Sequence, residues 1–75
     1  MNLNKKVNLK LKDNSHLVKL WENVGNCVFL TFNHVKDMIN TKTDLDDSGL
    51  FQSDIIVDSR QSNGICAKLR VKEVK

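Results

Sequence analysis

His16-Leu17-Val18-Lys19-Leu20-Trp21-Glu22-Asn23-Val24 can be read in two ways, and the choice decides the fold. At helical spacing, Leu17, Leu20, Trp21 and Val24 make an i, i+3, i+4, i+7 stripe, with Ser15 placed to cap its start and Gly25 to end it. At strand spacing, Val18 and Leu20 face one way, and Leu17, Lys19 and Trp21 the other. Val18 falls off the helical stripe. Asn23-Val24-Gly25-Asn26 also has hairpin chemistry and leads into the apolar run Cys27–Phe32. The strand reading is therefore the better one.

Working outward toward the N-terminus, Val7, Leu9 and Leu11 alternate with Asn8, Lys10 and Lys12, a period of two that predicts a strand with one wet face. Asp13-Asn14-Ser15 supplies short polar side chains that favour a turn. Toward the C-terminus, Val28, Leu30 and Phe32 mark the most strand-like run in the chain. Thr31 or Asn33 then caps a short helix in which Phe32, Val35, Met38 and Ile39 share a face, ending near Asn40-Thr41. Residues 42–52 read as an acidic loop, Ile55-Ile56-Val57 as a strand core between Asp54 and Asp58, and residues 59–64 as a turn-rich connection. Ile65, Ala67, Leu69 and Val71 alternate with Cys66, Lys68, Arg70 and Lys72 in a final strand with a basic outer face. The order implies one α+β domain over residues 1–75: a small, mostly antiparallel sheet, β-β-β-α-β-β, with one helix packed on it. A helix at residues 16–24 would give β-α-β-α-β-β instead.

Charge is laid out in blocks. Residues 1–36 hold six Lys against Asp13 and Glu22. Residues 37–58 hold only Lys42 against six Asp, and residues 59–75 are basic again apart from Glu73. Such segregation predicts a basic face and an acidic protrusion, which bears on partners more than on fold. Lys outnumbers Arg ten to two and Asn occurs nine times, a bias that suits an AT-rich coding sequence such as that of a phage or plasmid.

At 75 residues the chain buries roughly 60% of its unfolded surface, so its stability needs help from a disulfide, a metal or a partner. Met1-Asn2-Leu3-Asn4-Lys5-Lys6 has no apolar run of a secretory signal, so a cytoplasmic location with free thiols at Cys27 and Cys66 is expected. No run approaches a membrane span, so no membrane role is expected. Self-association, as a homodimer, is the remaining source of stability.

Three surfaces compete for function. The first is the pair of basic strands, which would offer Lys10, Lys12, Lys68, Arg70 and Lys72 to nucleic-acid phosphates if they lay side by side. Neither basic face carries an aromatic residue, so such binding would be backbone-directed and salt-dependent. The bland alternative is that the lysines keep strand edges from pairing. The second is the acidic segment. Asp44, Asp46, Ser48 and Gly49 fall at the first places of a calcium-binding loop, but Ile55 stands where a bidentate Glu is needed, leaving a weak calcium alternative. The third is a protein-contact surface of Trp21, Asp46, Asp47, Leu50 and Phe51, an aromatic anchor beside a docking loop. Trp21 and Phe51 also have an ordinary use as core residues.

His16, Cys27, His34 and Cys66 contain no close ligand pair, so no zinc site is expected, and no cofactor is implied. No nucleophile–base arrangement or phosphate-binding glycine loop is present, so catalysis is not expected. The sequence thus points to a non-catalytic protein-binding domain. A small phage- or plasmid-type regulator or inhibitor that occludes a partner surface would fit. Nucleic-acid binding is the main alternative.

Overall fold

A computed structural model describes residues 2–57 and 67–74. Helix α1 (Leu3–Leu11) leads through a 3-10 turn (Lys12–Leu17) into β1 (Val18–Val24) and β2 (Cys27–Phe32). Helix α2 (Val35–Asp47), β3 (Phe51–Val57) and β4 (Ala67–Glu73) follow. The strands form one antiparallel sheet in the order β1-β2-β4-β3. The fold is α+β, as the sequence predicts. The expected connection at residues 59–64, along with Asp58, Ile65 and Cys66, lies outside the described residues.

Residues 16–24 supply the decisive strand. β1 and β2 pair from Val18↔Phe32 to Val24↔Cys27, leaving the two-residue turn Gly25-Asn26. Gly25 takes φ +60 at the first turn position, which glycine adopts without steric cost. The register shifts between Val18 and Leu20, so a bulge at Lys19 puts Val18 and Trp21 on the same side of the sheet. A regular strand would have separated them.

The first element is a helix, not the expected strand. Its period-two pattern hides a longer one: Leu3, Val7 and Leu11 recur every four residues, and Val7 and Leu11 are fully buried while Leu9 faces outward. The Asn2 side chain accepts a 3.0 Å hydrogen bond from the Lys5 amide and caps the first turn. The helix stops at Lys12, whose φ of +53 is unusual for a residue other than glycine.

Helix α2 also runs nearly two turns beyond its expected end, to Asp47. It is capped at His34 rather than at Thr31 or Asn33, with no side-chain cap bond. Its buried stripe is Met38, Thr41 and Leu45, and a threonine in that stripe hides the periodicity. What was expected as an acidic loop is therefore mostly helix. The turn that ends it is short: the Ser48 hydroxyl donates to the Leu45 carbonyl at 2.6 Å, and Gly49 takes φ +74.

Both helices pack on one face of the sheet. Val7, Leu11, Met38 and Leu45 meet Val28, Leu30, Phe32, Ala67, Leu69 and Val71 in a single core. Burying each such side chain contributes roughly 1.5–3 kcal/mol, which is what holds so small a domain together.

Candidate functional site

The opposite face of the sheet is covered by neither helix. The alternation of β4 places Lys68, Arg70 and Lys72 there, since Ala67, Leu69 and Val71 are buried in the core. Strand registers then define its central row. Glu22 of β1 stands beside Phe29 of β2, Phe29 beside Arg70 of β4, and Arg70 beside Asp54 of β3. The next row holds Leu20, Thr31 and Lys68.

Two of the three β4 cations, Lys68 and Arg70, are paired within this surface. An Arg70 guanidinium nitrogen lies 3.0 Å from the Asp54 carboxylate. Lys68 reaches diagonally across the Phe29 ring, its Nζ 5.9 Å from the ring centre, to within 3.4 Å of the Glu22 carboxylate. A half-buried aromatic is thus roofed by a cation and flanked by two ion pairs. Leu20 and Val24, each about half exposed, border the surface along β1. Beneath it, the Thr31 hydroxyl is buried with no hydrogen-bond partner among the described residues.

The residues expected to act together are distributed differently. Lys10 lies on α1, where its ammonium is 3.6 Å from Asp44, and Lys12 ends the same helix. The expected five-cation patch does not assemble, because Lys10 and Lys12 belong to the helical layer while Lys68, Arg70 and Lys72 face away from it. Trp21 sits on the helix side of β1, half-buried against the core. Phe51 is buried as well, having turned inward at the start of β3. Of the expected contact loop, Leu50 and Asp47 are exposed; the Leu50 backbone is tied down, its amide donating to the Ser48 hydroxyl at 3.1 Å and its carbonyl accepting from the Val74 amide at 3.0 Å. Leu50 shares a shallow groove with Leu9 and Val74, rimmed by Lys6 and Lys10.

Asp46 does work the sequence did not suggest. Its Oδ1 accepts from both the amide and the hydroxyl of Ser53, at 3.2 and 2.8 Å, and its Oδ2 lies 2.9 Å from Lys42 Nζ. Lys42 in turn donates to the Ser53 carbonyl at 2.7 Å. Burial pushes the Asp46 carboxyl upward, but the bonds from Lys42 and Ser53 outweigh it and hold the group below its ordinary value. The calcium alternative at Asp44, Asp46 and Ser48 loses its basis here, because Asp44 and Asp46 are helical and both are engaged by lysines. No cluster of three or more metal-ligating side chains occurs among the described residues. None of their helices is long and apolar enough to cross a membrane.

Phe29 is hard to find in the sequence because its neighbours Glu22 and Arg70 reach it only through strand pairing. Its only signal was position: the residues between Val28, Leu30 and Phe32 had to face the other side, and Phe29 is the large one among them. Comparison of the chain with family models, curated proteins and solved structures returns no match.

Proposed function

We propose that this chain is a non-catalytic protein-binding domain whose contact surface is the open sheet face centred on Phe29. The observation that carries this reading is the central row Glu22–Phe29–Arg70–Asp54, an aromatic set among charges already paired with one another. Interfaces between proteins favour that composition: an aromatic anchor, an arginine, and a rim of polar groups whose desolvation is offset by their own partners. A module of this kind acts by covering a surface of its partner, as a small accessory regulator or inhibitor would.

Nucleic-acid binding is the second reading, and one observation favours it. Phe29 supplies the aromatic that the basic strand lacks, placed beside Lys68, Arg70 and Lys72. The ion pairs weigh against it, because phosphates would have to displace Glu22 and Asp54 from Lys68 and Arg70.

Capture from cell lysate with the wild type, Phe29→Ser and Leu50→Ser tests both. A stoichiometric protein retained by the wild type and Leu50→Ser but lost from Phe29→Ser is the expected result. Nucleic acid recovered instead, released by salt, would transfer the site to the second reading. Equal capture by all three would remove the face as the contact surface.

A further inference from the structure

The sheet has two outer edges, and the chain closes one of them. At β3 the Ser53 amide donates to Asp46, not to β4, and the Ser53 carbonyl accepts from Lys42. Two side chains of α2 thus occupy the Ser53 backbone groups, which face the outer edge where a further strand would pair, and so interrupt that edge at its middle. β1 is treated differently. It pairs with β2 on one side, and its principal other contacts are with the 3-10 turn that precedes it. Lys19 and its bulge disturb the start of its outer edge, but Leu20–Val24 is regular.

We propose that the outer edge of Leu20–Val24 pairs with the same segment of a second copy of this chain. The occupant follows from the segment's own pattern. Read from its centre at Glu22, the segment is apolar–x–Glu–x–apolar in both directions. An antiparallel copy about a two-fold axis at Glu22 therefore sets Leu20 against Val24 of the second copy, and Val24 against its Leu20. These are two of the exposed large apolar residues of the domain, and the pairing covers them. The two Glu22 carboxylates that meet at the axis each bring a Lys68 from their own subunit, so the row is neutral. Self-complementarity of this kind is what an isologous interface requires. With the β3 edge interrupted at Ser53, association is expected to stop at two.

This inference concerns the edge rather than the face, so it stands or falls apart from the partner proposed above. Light scattering and sedimentation from micromolar to millimolar concentration test it. The wild type is expected to reach twice its 8.6 kDa chain mass. Trp21 is the only tryptophan and lies within the segment, so its emission should move to shorter wavelength in step with mass. Leu20→Lys and Val24→Lys, at half-exposed positions, should each weaken the dimer on the order of tenfold or more. Ile56→Lys at the far edge should not. A single-chain mass throughout, or a dimer indifferent to both β1 lysines, overturns the proposal. Should the lysine variants fail to fold, wild-type amide exchange decides. Protection within Leu20–Val24 that rises with concentration supports the pairing, and protection independent of concentration refutes it.

Discussion

At one margin of the sheet, Asp46 and Lys42 lean out of α2 and take up the amide, the hydroxyl and the carbonyl of Ser53. At the other margin, Leu20 and Val24 stand half exposed on a strand whose principal contacts are with β2 and the 3-10 turn. Each helix gives way to a residue at positive φ: Gly49 just before β3, and Lys12 at the end of α1, with the 3-10 turn still to come before β1. The capped margin uses glycine, for which the conformation is inexpensive. Lys12, at φ 53 and ψ −119, lies outside the left-handed helical well, a strain on the order of 1–3 kcal/mol for a residue with a side chain. Four strands packed on two helices therefore do not by themselves make a closed molecule. The closure is a local matter of two polar side chains, and the domain spends them on one side only.

Removing those side chains should give the largest effect. Asp46→Ala leaves the Ser53 amide and hydroxyl without acceptors and Lys42 without its carboxylate. Loss of stability of about 1–3 kcal/mol is expected, read as a lower urea midpoint. The more telling readout is mass. With both margins open, pairing no longer closes, so light scattering should find species larger than the dimer. A variant that is less stable but keeps the wild-type mass would show that the cap holds α2 in place without guarding the edge.

Acid should reproduce part of that change reversibly. Asp46 has its carboxyl held below the ordinary value in the folded chain, so the folded state favours its ionised form. Its contribution is present above the unfolded carboxylate range near 3.9 and is lost as pH falls through the lower folded value. The stability difference between wild type and Asp46→Asn should therefore be flat at neutral pH and shrink only in strong acid. A difference that fades already around pH 6 would point to another group.

How far all this could be read from the sequence depends on which residues carry the signal. β2 and β4 were legible because Val28, Leu30, Phe32 and Ala67, Leu69, Val71 alternate and are buried on one face. α1 was not, because Leu9 sits between Val7 and Leu11 and imitates a strand, although Leu9 is the exposed one. α2 was cut short because Thr41 occupies a core position that pattern reasoning reserves for apolar residues. Of the candidate site, the strand residues Lys68, Arg70 and Lys72 were visible, and their company was not. Cross-strand neighbours such as Glu22, Phe29 and Asp54 come from registers, which long-range pairing sets and local sequence does not.

The two positive-φ residues that follow the helices allow a sharper test. Gly49→Ala should cost on the order of 1 kcal/mol, and the cost is a backbone one, since a Cβ there meets nothing within 4 Å. Lys12→Gly works in the opposite sense. It relieves the strained backbone, but it also loosens the unfolded chain by about 0.4–1 kcal/mol, so a net gain of roughly 0–2.5 kcal/mol is expected. Paired denaturation curves would read both changes. Opposite signs would establish that the two positions obey one rule and that the lysine is a tolerated strain at the end of α1. A Lys12→Gly variant that loses stability would mean instead that the side chain holds the 3-10 turn against β1, and that this margin has a support of its own.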